Sequence, residues 1–157
     1  MAIDINVLKE KASSLLGEAG RKIRQYTPET FSPEKKYINA MVSAIALMVL
    51  ADKKIETEEV VQSIEFISSL DEVRELEMSN DAIEMYEHIL EEMAPHFDNP
   101  VKWITSVAKI LGNISLVKDN PAYKDSIIAV LDHIAGSDGN VDPSELEMKE
   151  KIIQALS

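Results

Sequence analysis

An all-α fold, a compact single-domain bundle of about seven helices, follows from three features of the sequence. No segment alternates apolar and polar residues with a period of two between glycine-rich turns, so strands leave no signature. Apolar residues recur instead three and four apart along most of the chain. Ser32-Pro33, Asn99-Pro100, Asn120-Pro121 and Asp142-Pro143 each put a capping side chain before a proline, the pair that opens a helix with φ already set.

The first element expected is an amphipathic helix over residues 3–23, with Val7, Leu8, Ala12, Leu15, Leu16, Ala19 and Ile23 on one face and Lys9, Lys11, Arg21, Lys22 and Arg24 on the other. Such a face suits an anionic membrane or, more economically, the acidic surface of the protein itself. Residues 1–31 are therefore read as an N-terminal helix and linker. Residues 32–157 form one helical domain on which that helix docks.

The helix opened by Ser32-Pro33 runs to Leu50, and because its second half is apolar nearly all round it is expected at the centre of the bundle. A hinge at Asp52 separates it from a helix over residues 57–69. One or two turns are expected near residues 71–76, then a helix capped by Ser79 and ended by Pro95. The next two helices cover residues 101–111 and 123–135, and the last runs from Pro143 to about Leu156.

The chain of 157 residues is long enough for one well-cored domain and has no cysteine, which excludes disulfides, thiolate zinc sites and cysteine catalysis. No apolar run approaches the ~20 residues that cross a bilayer, and the N-terminus lacks the basic and apolar regions of a signal peptide. A cytoplasmic protein without membrane insertion is expected. The net charge of −12 is concentrated in residues 65–98, which hold a single basic residue, Arg74. An acidic surface of this kind argues against nucleic acid and favours cations or basic protein surfaces.

Two stretches carry related chemistry. Ser137-Asp138-Gly139-Asn140-Val141-Asp142-Pro143-Ser144-Glu145 joins two helical patterns, and Ala51-Asp52-Lys53-Lys54-Ile55-Glu56-Thr57-Glu58-Glu59 repeats its outline. In register, Asp52 falls on Asp138, Ile55 on Val141, Glu56 on Asp142 and Glu59 on Glu145. The bundle is thus expected to contain two pseudo-symmetric helix-hinge-helix units whose packing brings the hinges together. As backbone chemistry, Asp142, Pro143 and Glu145 form a capping box. As metal chemistry, the second stretch matches only the later half of an EF-hand loop, since Ile134 and Gly136 occupy the first and third ligand places. A high-affinity calcium loop is excluded, whereas a weaker oxygen site is not.

The paired Ala-Asp-Gly-x-Val/Ile-x-x-x-Glu pattern, from about Met41 to the C-terminus, resembles the TerB-like tellurite-resistance family. The second unit departs from it by Ser137 and the first by Lys53 in the glycine place. The resemblance implies a small cytoplasmic helical protein of bacterial stress, tellurite-resistance and phage-defence systems. It further implies partner proteins of such a system, membrane-associated ones among them, and a divalent metal held by the paired acids. Carried over by position, the metal residues are Asp52, Glu59, Asp138 and Glu145, with Asn140, Asp142 and Glu56 as secondary candidates. Ca²⁺ or Mg²⁺ suits such ligands.

Other constellations are weaker. Glu84, His88, Glu91 and Glu92 share one helix side, but away from its apolar stripe, so they read as a solvated acidic face. His96 and His133 have no partner at a recognisable spacing, and no phosphate loop, nucleophile elbow or paired-histidine motif is present. A non-enzymatic role is expected. The alternative to the metal-binding reading is a structural adaptor that uses its acidic surface for protein contacts without metal, and a carboxylate-bridged metalloenzyme is a distant third.

Overall fold

The computed structural model describes residues 27–136 and 142–157, and within them there are seven α-helices and no strand. They are α1 (Pro33–Leu50), α2 (Thr57–Ser69), α3 (Asp71–Glu75), α4 (Ser79–Met93), α5 (Pro100–Ile114), α6 (Pro121–Gly136) and α7 (Pro143–Ala155). Short 3-10 turns lie at Pro28–Thr30, Ala94–His96 and Ser115–Val117. The expected N-terminal helix over residues 3–23 lies outside the described residues.

The bundle is built around α1. Ser32 caps it by accepting a hydrogen bond from the Lys35 amide, and Pro33 supplies its first turn. Every residue from Tyr37 to Leu50 is buried. That distribution follows from composition, because a helix with apolar side chains on all sides lowers its free energy only when other helices cover every side. Each fully buried Ile, Leu or Met contributes roughly 1.5–3 kcal/mol. Helices α4, α5, α6 and α7 pack against α1, and α2 packs on both α1 and α4.

Polar contacts fix how the ends meet. Near the start of α1, Tyr37 shares a hydrogen bond of 2.7 Å with Ser126 and stacks on Tyr123 with ring centroids 4.1 Å apart, which pins α1 to the first two turns of α6. His96, unassigned from sequence, shares a 2.7 Å hydrogen bond with the buried Ser106 and so ties the 3-10 turn after α4 to α5. Phe97 packs in a tilted contact on Trp103 beside it.

Three boundaries differ from the expectation, each for a local reason. Ser79 is the first residue of α4 rather than its cap, and Met78 holds the cap position without a side-chain hydrogen bond. The chain arrives there from a closed turn. Glu77 has φ 55°, its amide donates to the Arg74 carbonyl, and the Met78 amide donates to the Val73 carbonyl, the bonding of a Schellman motif without its glycine. Helix α5 continues past Leu111 to Ile114, which together with Val117 covers α1. Helix α6 starts at Pro121, because Asn120 caps it through the Tyr123 amide.

Candidate functional site

The first hinge follows the end of α1. A Schellman ending would send the Lys54 amide to the Val49 carbonyl. Here Asp52 Oδ1 accepts that amide at 3.1 Å, while the Lys53 amide donates to the Leu50 carbonyl at 2.9 Å. Lys53 has φ 59°, the left-handed backbone for which glycine is the usual residue. Its ammonium extends over the Trp103 ring, 5.7 Å from the centroid, an arrangement favoured by the ring quadrupole. Ile55 is buried and anchors the hinge, and Glu56 stands at the cap of α2 with no side-chain capping bond.

The second hinge is described from Asp142 onward; Asp138 and Asn140 lie outside the described residues. Asp142 Oδ1 accepts from the Ser144 amide at 2.7 Å, and Pro143 occupies the first turn of α7. The capping role expected of Asp142 is therefore present. Asp142 is exposed and Glu145 half-buried.

Between the helices that follow and precede these hinges lies a cavity of about 260 Å³. Ile45, Met48 and Val49 of α1 form its apolar floor. Glu59, Gln62, Ser63 and Phe66 line it from α2, His133 and Ile134 from α6, and Glu145 from α7. Glu59 and Glu145, the equivalent glutamates of the two hinge patterns, thus face one space. Asp52, Glu56 and Asp142 are not among its lining residues. Of the seven candidate ligands, the structure brings two together in the cavity and leaves Asp52 and Asp142 occupied with backbone amides at helix ends.

The electrostatics beneath Glu59 are unusual. Ser63 donates to the Glu59 carbonyl at 2.8 Å, one helical turn back. The Tyr86 phenol is wholly buried on α4, with the Ser63 hydroxyl as its polar neighbour. Burial pushes its pKa well above the usual phenol range; the Ser63 hydroxyl opposes that shift, and the Glu59 carboxylate adds to it.

His133 is a residue that sequence reasoning left unassigned. Its ring stacks on Phe66 with centroids 5.3 Å apart and planes 12° from parallel, making an aromatic wall between α2 and α6. No spacing could reveal this pair, since its members lie 67 positions apart, although His133 does lie one turn before the second hinge. The acidic face of α4 is less solvated than expected: Glu84, His88, Glu91 and Glu92 are all half-buried. Glu92 bonds Lys109 of α5 at 2.7 Å and lies 3.4 Å from His88, so its carboxylate serves helix packing.

The donors in the cavity are carboxylate, amide and hydroxyl oxygens with one imidazole, a set that fits a hard cation better than a soft metal. No group of three or more His, Cys, Asp or Glu residues arranged to hold a metal ion occurs among the described residues. None of the described helices is long and apolar enough to cross a membrane.

Residues 39–157 match the family model described as tellurite resistance protein TerB. No curated protein and no solved structure matches the chain. The match spans three quarters of the sequence and both hinges, and the chain belongs to that family.

Proposed function

We propose that this member of the TerB tellurite-resistance family is a non-enzymatic cation-binding protein, with Glu59 and Glu145 as the central carboxylates and Ca²⁺ or Mg²⁺ as the ion. The observation that carries the reading is the meeting of these two equivalent glutamates, 86 positions apart, in one cavity. Two carboxylates that line one space are oxygen donors of the kind a hard divalent cation takes. A divalent ion would hold α2 to α7. Asp138 is proposed as a further ligand from the second hinge. Asp52, by contrast, acts chiefly on the backbone of its own turn.

In this reading the protein works in the cytoplasm beside other proteins of a tellurite-resistance or stress system. The exposed acids Asp71, Glu75 and Glu77, in and just after α3, give it a surface for them. If the glutamate pair binds no ion, that surface alone supports the adaptor role.

Calorimetric titration and thermal unfolding with Ca²⁺ and Mg²⁺ test the proposal. Saturable binding with a dissociation constant of ~0.1–1 mM is expected, the range of loosely built oxygen sites. Ligand at ~100 times its dissociation constant stabilises by about 2.7 kcal/mol and raises Tm by several degrees. Glu59→Gln, Glu145→Gln and Asp138→Asn should each melt near the cation-free native protein and respond little to added ion. Absence of saturable binding up to several millimolar would leave the adaptor role in its place.

A further inference from the structure

We infer that this chain associates head to tail with copies of itself, the outer face of α5 in one molecule docking on the acidic end of α3 in the next. The contact uses none of the residues that line the cavity and rests on no ion bound there.

Helix α5 has two apolar faces. Trp103, Ser106, Val107, Ile110 and Ile114 are buried toward the bundle. Val101, Ile104, Ala108 and Leu111, spaced three and four apart, form a second stripe about a third of a turn round the helix. Val101 is 74% exposed and Ile104 66%, the two most open large apolar residues among those described, and side chains of this kind gain by being covered. Gly112 belongs to the same outer side, one turn beyond Ala108. Glycine destabilises a helix interior relative to alanine, and a methyl group here would meet no atom within 4 Å beyond its own stretch of helix. Packing within the molecule therefore does not call for glycine at this place, whereas close approach by another chain does.

Charge selects the occupant. Residues 99–118 hold Lys102, Lys109 and Lys118 and no acidic residue, in a chain whose net charge is −12. Lys109 bonds Glu92, whereas Lys102 and Lys118 are exposed without an acidic partner among the described residues. A second α5 face would set these lysines against one another, and the N-terminal segment would bring Lys9, Lys11, Arg21, Lys22 and Arg24 to them. The end of α3 is complementary instead. Leu76, 36% exposed, is flanked there by the exposed Glu75 and Glu77, with Asp71 exposed at the start of the same helix. An apolar patch edged by lysines thus meets a leucine edged by carboxylates. Helix α3 packs on α2 and α4 while α5 packs on α1, α4 and α7, so the two patches stand on different parts of the surface. A contact between unlike patches is heterologous. Each docking leaves one free patch of each kind, and copies add in an open chain.

Sedimentation of the full chain over a range of concentrations tests this. Patches of a few side chains make a weak contact, so Kd is expected on the order of 0.1–1 mM, with an average mass that rises past the dimer as concentration increases. Ile104→Glu, at an exposed position, should weaken association roughly tenfold or more. So should Glu75→Lys combined with Glu77→Lys, although that change lowers the net negative charge and with it the general repulsion between copies. Gly112→Ala should raise Tm yet weaken association several-fold, opposite signs that a purely structural role would not give. Mixing the Ile104 variant with the Glu75 and Glu77 variant in equal amounts is the sharpest step. Each keeps one intact patch, so the mixture should form a dimer and nothing larger, while each variant alone remains a monomer. Melting curves establish that all variants are folded.

A native protein that stays monomeric to ~1 mM would overturn the inference. Growth that stops at a dimer and survives replacement of the α3 glutamates would also overturn it, since that is the mark of α5 pairing with α5. So would a variant mixture no more associated than its separate components. None of these results bears on the cavity, whose ion binding is read separately in Glu59→Gln and Glu145→Gln.

Discussion

The two hinges share a sequence outline and differ in how their acids are used. In the first, Asp52 closes a turn on the Lys54 amide, Lys53 takes a left-handed backbone, and α2 starts at Glu56 without a side-chain cap. In the second, Asp142 accepts the Ser144 amide and Pro143 follows, so α7 starts with both devices that favour a helix N-terminus. Among the described residues, the first hinge uses an aspartate to close a helix end and the second uses one to open a helix. What the hinges have in common lies further on, where Glu59 and Glu145 reach the cavity from the first turns of α2 and α7. Asp52 and Asp142 at the bends serve the backbone, and the glutamates three residues beyond each cap position line the cavity.

The comparison is broken most strongly at high pH, because only the Glu59 side of the cavity is known to rest on a buried phenol. Tyr86 holds its proton more tightly folded than unfolded, since burial raises its pKa and the Glu59 carboxylate adds to the shift. Its contribution is therefore fully present below the unfolded pKa of about 10 and lost as pH rises beyond it. The slope is about 1.4 kcal/mol per pH unit, so between pH 10 and 12 the native protein should lose up to ~2.7 kcal/mol more than Tyr86→Phe. Urea unfolding across that range measures the difference. At pH 7 the phenylalanine variant should lie within about 1 kcal/mol of the native protein, because the only polar neighbour the hydroxyl gives up is Ser63. Parallel pH curves for the two proteins would mean that the phenol is hydrated in solution.

Much of this molecule is legible in its sequence, and the limits have physical causes. The all-α class and six of the seven helices follow from apolar spacing and from the Ser32, Asn99, Asn120 and Asp142 caps, because both signals are local. The burial of α1 was equally readable, since no solvent-facing helix carries apolar residues on every side. The start of α4 was misread at Ser79, as a serine in the first helical turn resembles a serine at the cap until the φ of 55° at Glu77 is known. For the candidate site, the hinge repeat named Glu59, Glu145, Asp52 and Asp138 together, and of these Glu59 and Glu145 line one cavity while Asp52 bonds its own turn. Distinguishing an acid that faces a cavity from one that bonds its own turn requires the backbone path. His133, Phe66 and Ser63 belong to the site through contacts between distant helices, and no local pattern announces such contacts.

A smaller effect sharpens the contrast between the two helix starts. Asp142→Ala removes a capping bond of 2.7 Å and should lower stability by about 1 kcal/mol. Glu56→Ala removes no capping bond and should change stability by less than ~0.5 kcal/mol. Denaturant midpoints at fixed slope resolve the two values. A Glu56 variant as damaging as the Asp142 variant would show that the first hinge depends on that carboxylate in some way other than capping.

The smallest effect concerns Lys53, which occupies the place where the second hinge has Gly139. An L-residue in the left-handed region costs roughly 1–2 kcal/mol relative to its ordinary conformations, and glycine does not bear that cost. Glycine, however, loses more conformational entropy on folding, by roughly 0.5–1 kcal/mol. Lys53→Gly also gives up the ammonium contact with the Trp103 ring, worth ~0.5–1 kcal/mol at an exposed position. These opposing quantities leave a net change within about 1 kcal/mol of zero, whereas Lys53→Asn keeps a side chain tolerant of this backbone and loses only the cation over the ring. The pair of variants separates the two contributions. If Lys53 is held for its contact with Trp103, Asn should be slightly destabilising and the tryptophan emission of both variants should shift in the same direction. If the backbone dominates, glycine should stabilise.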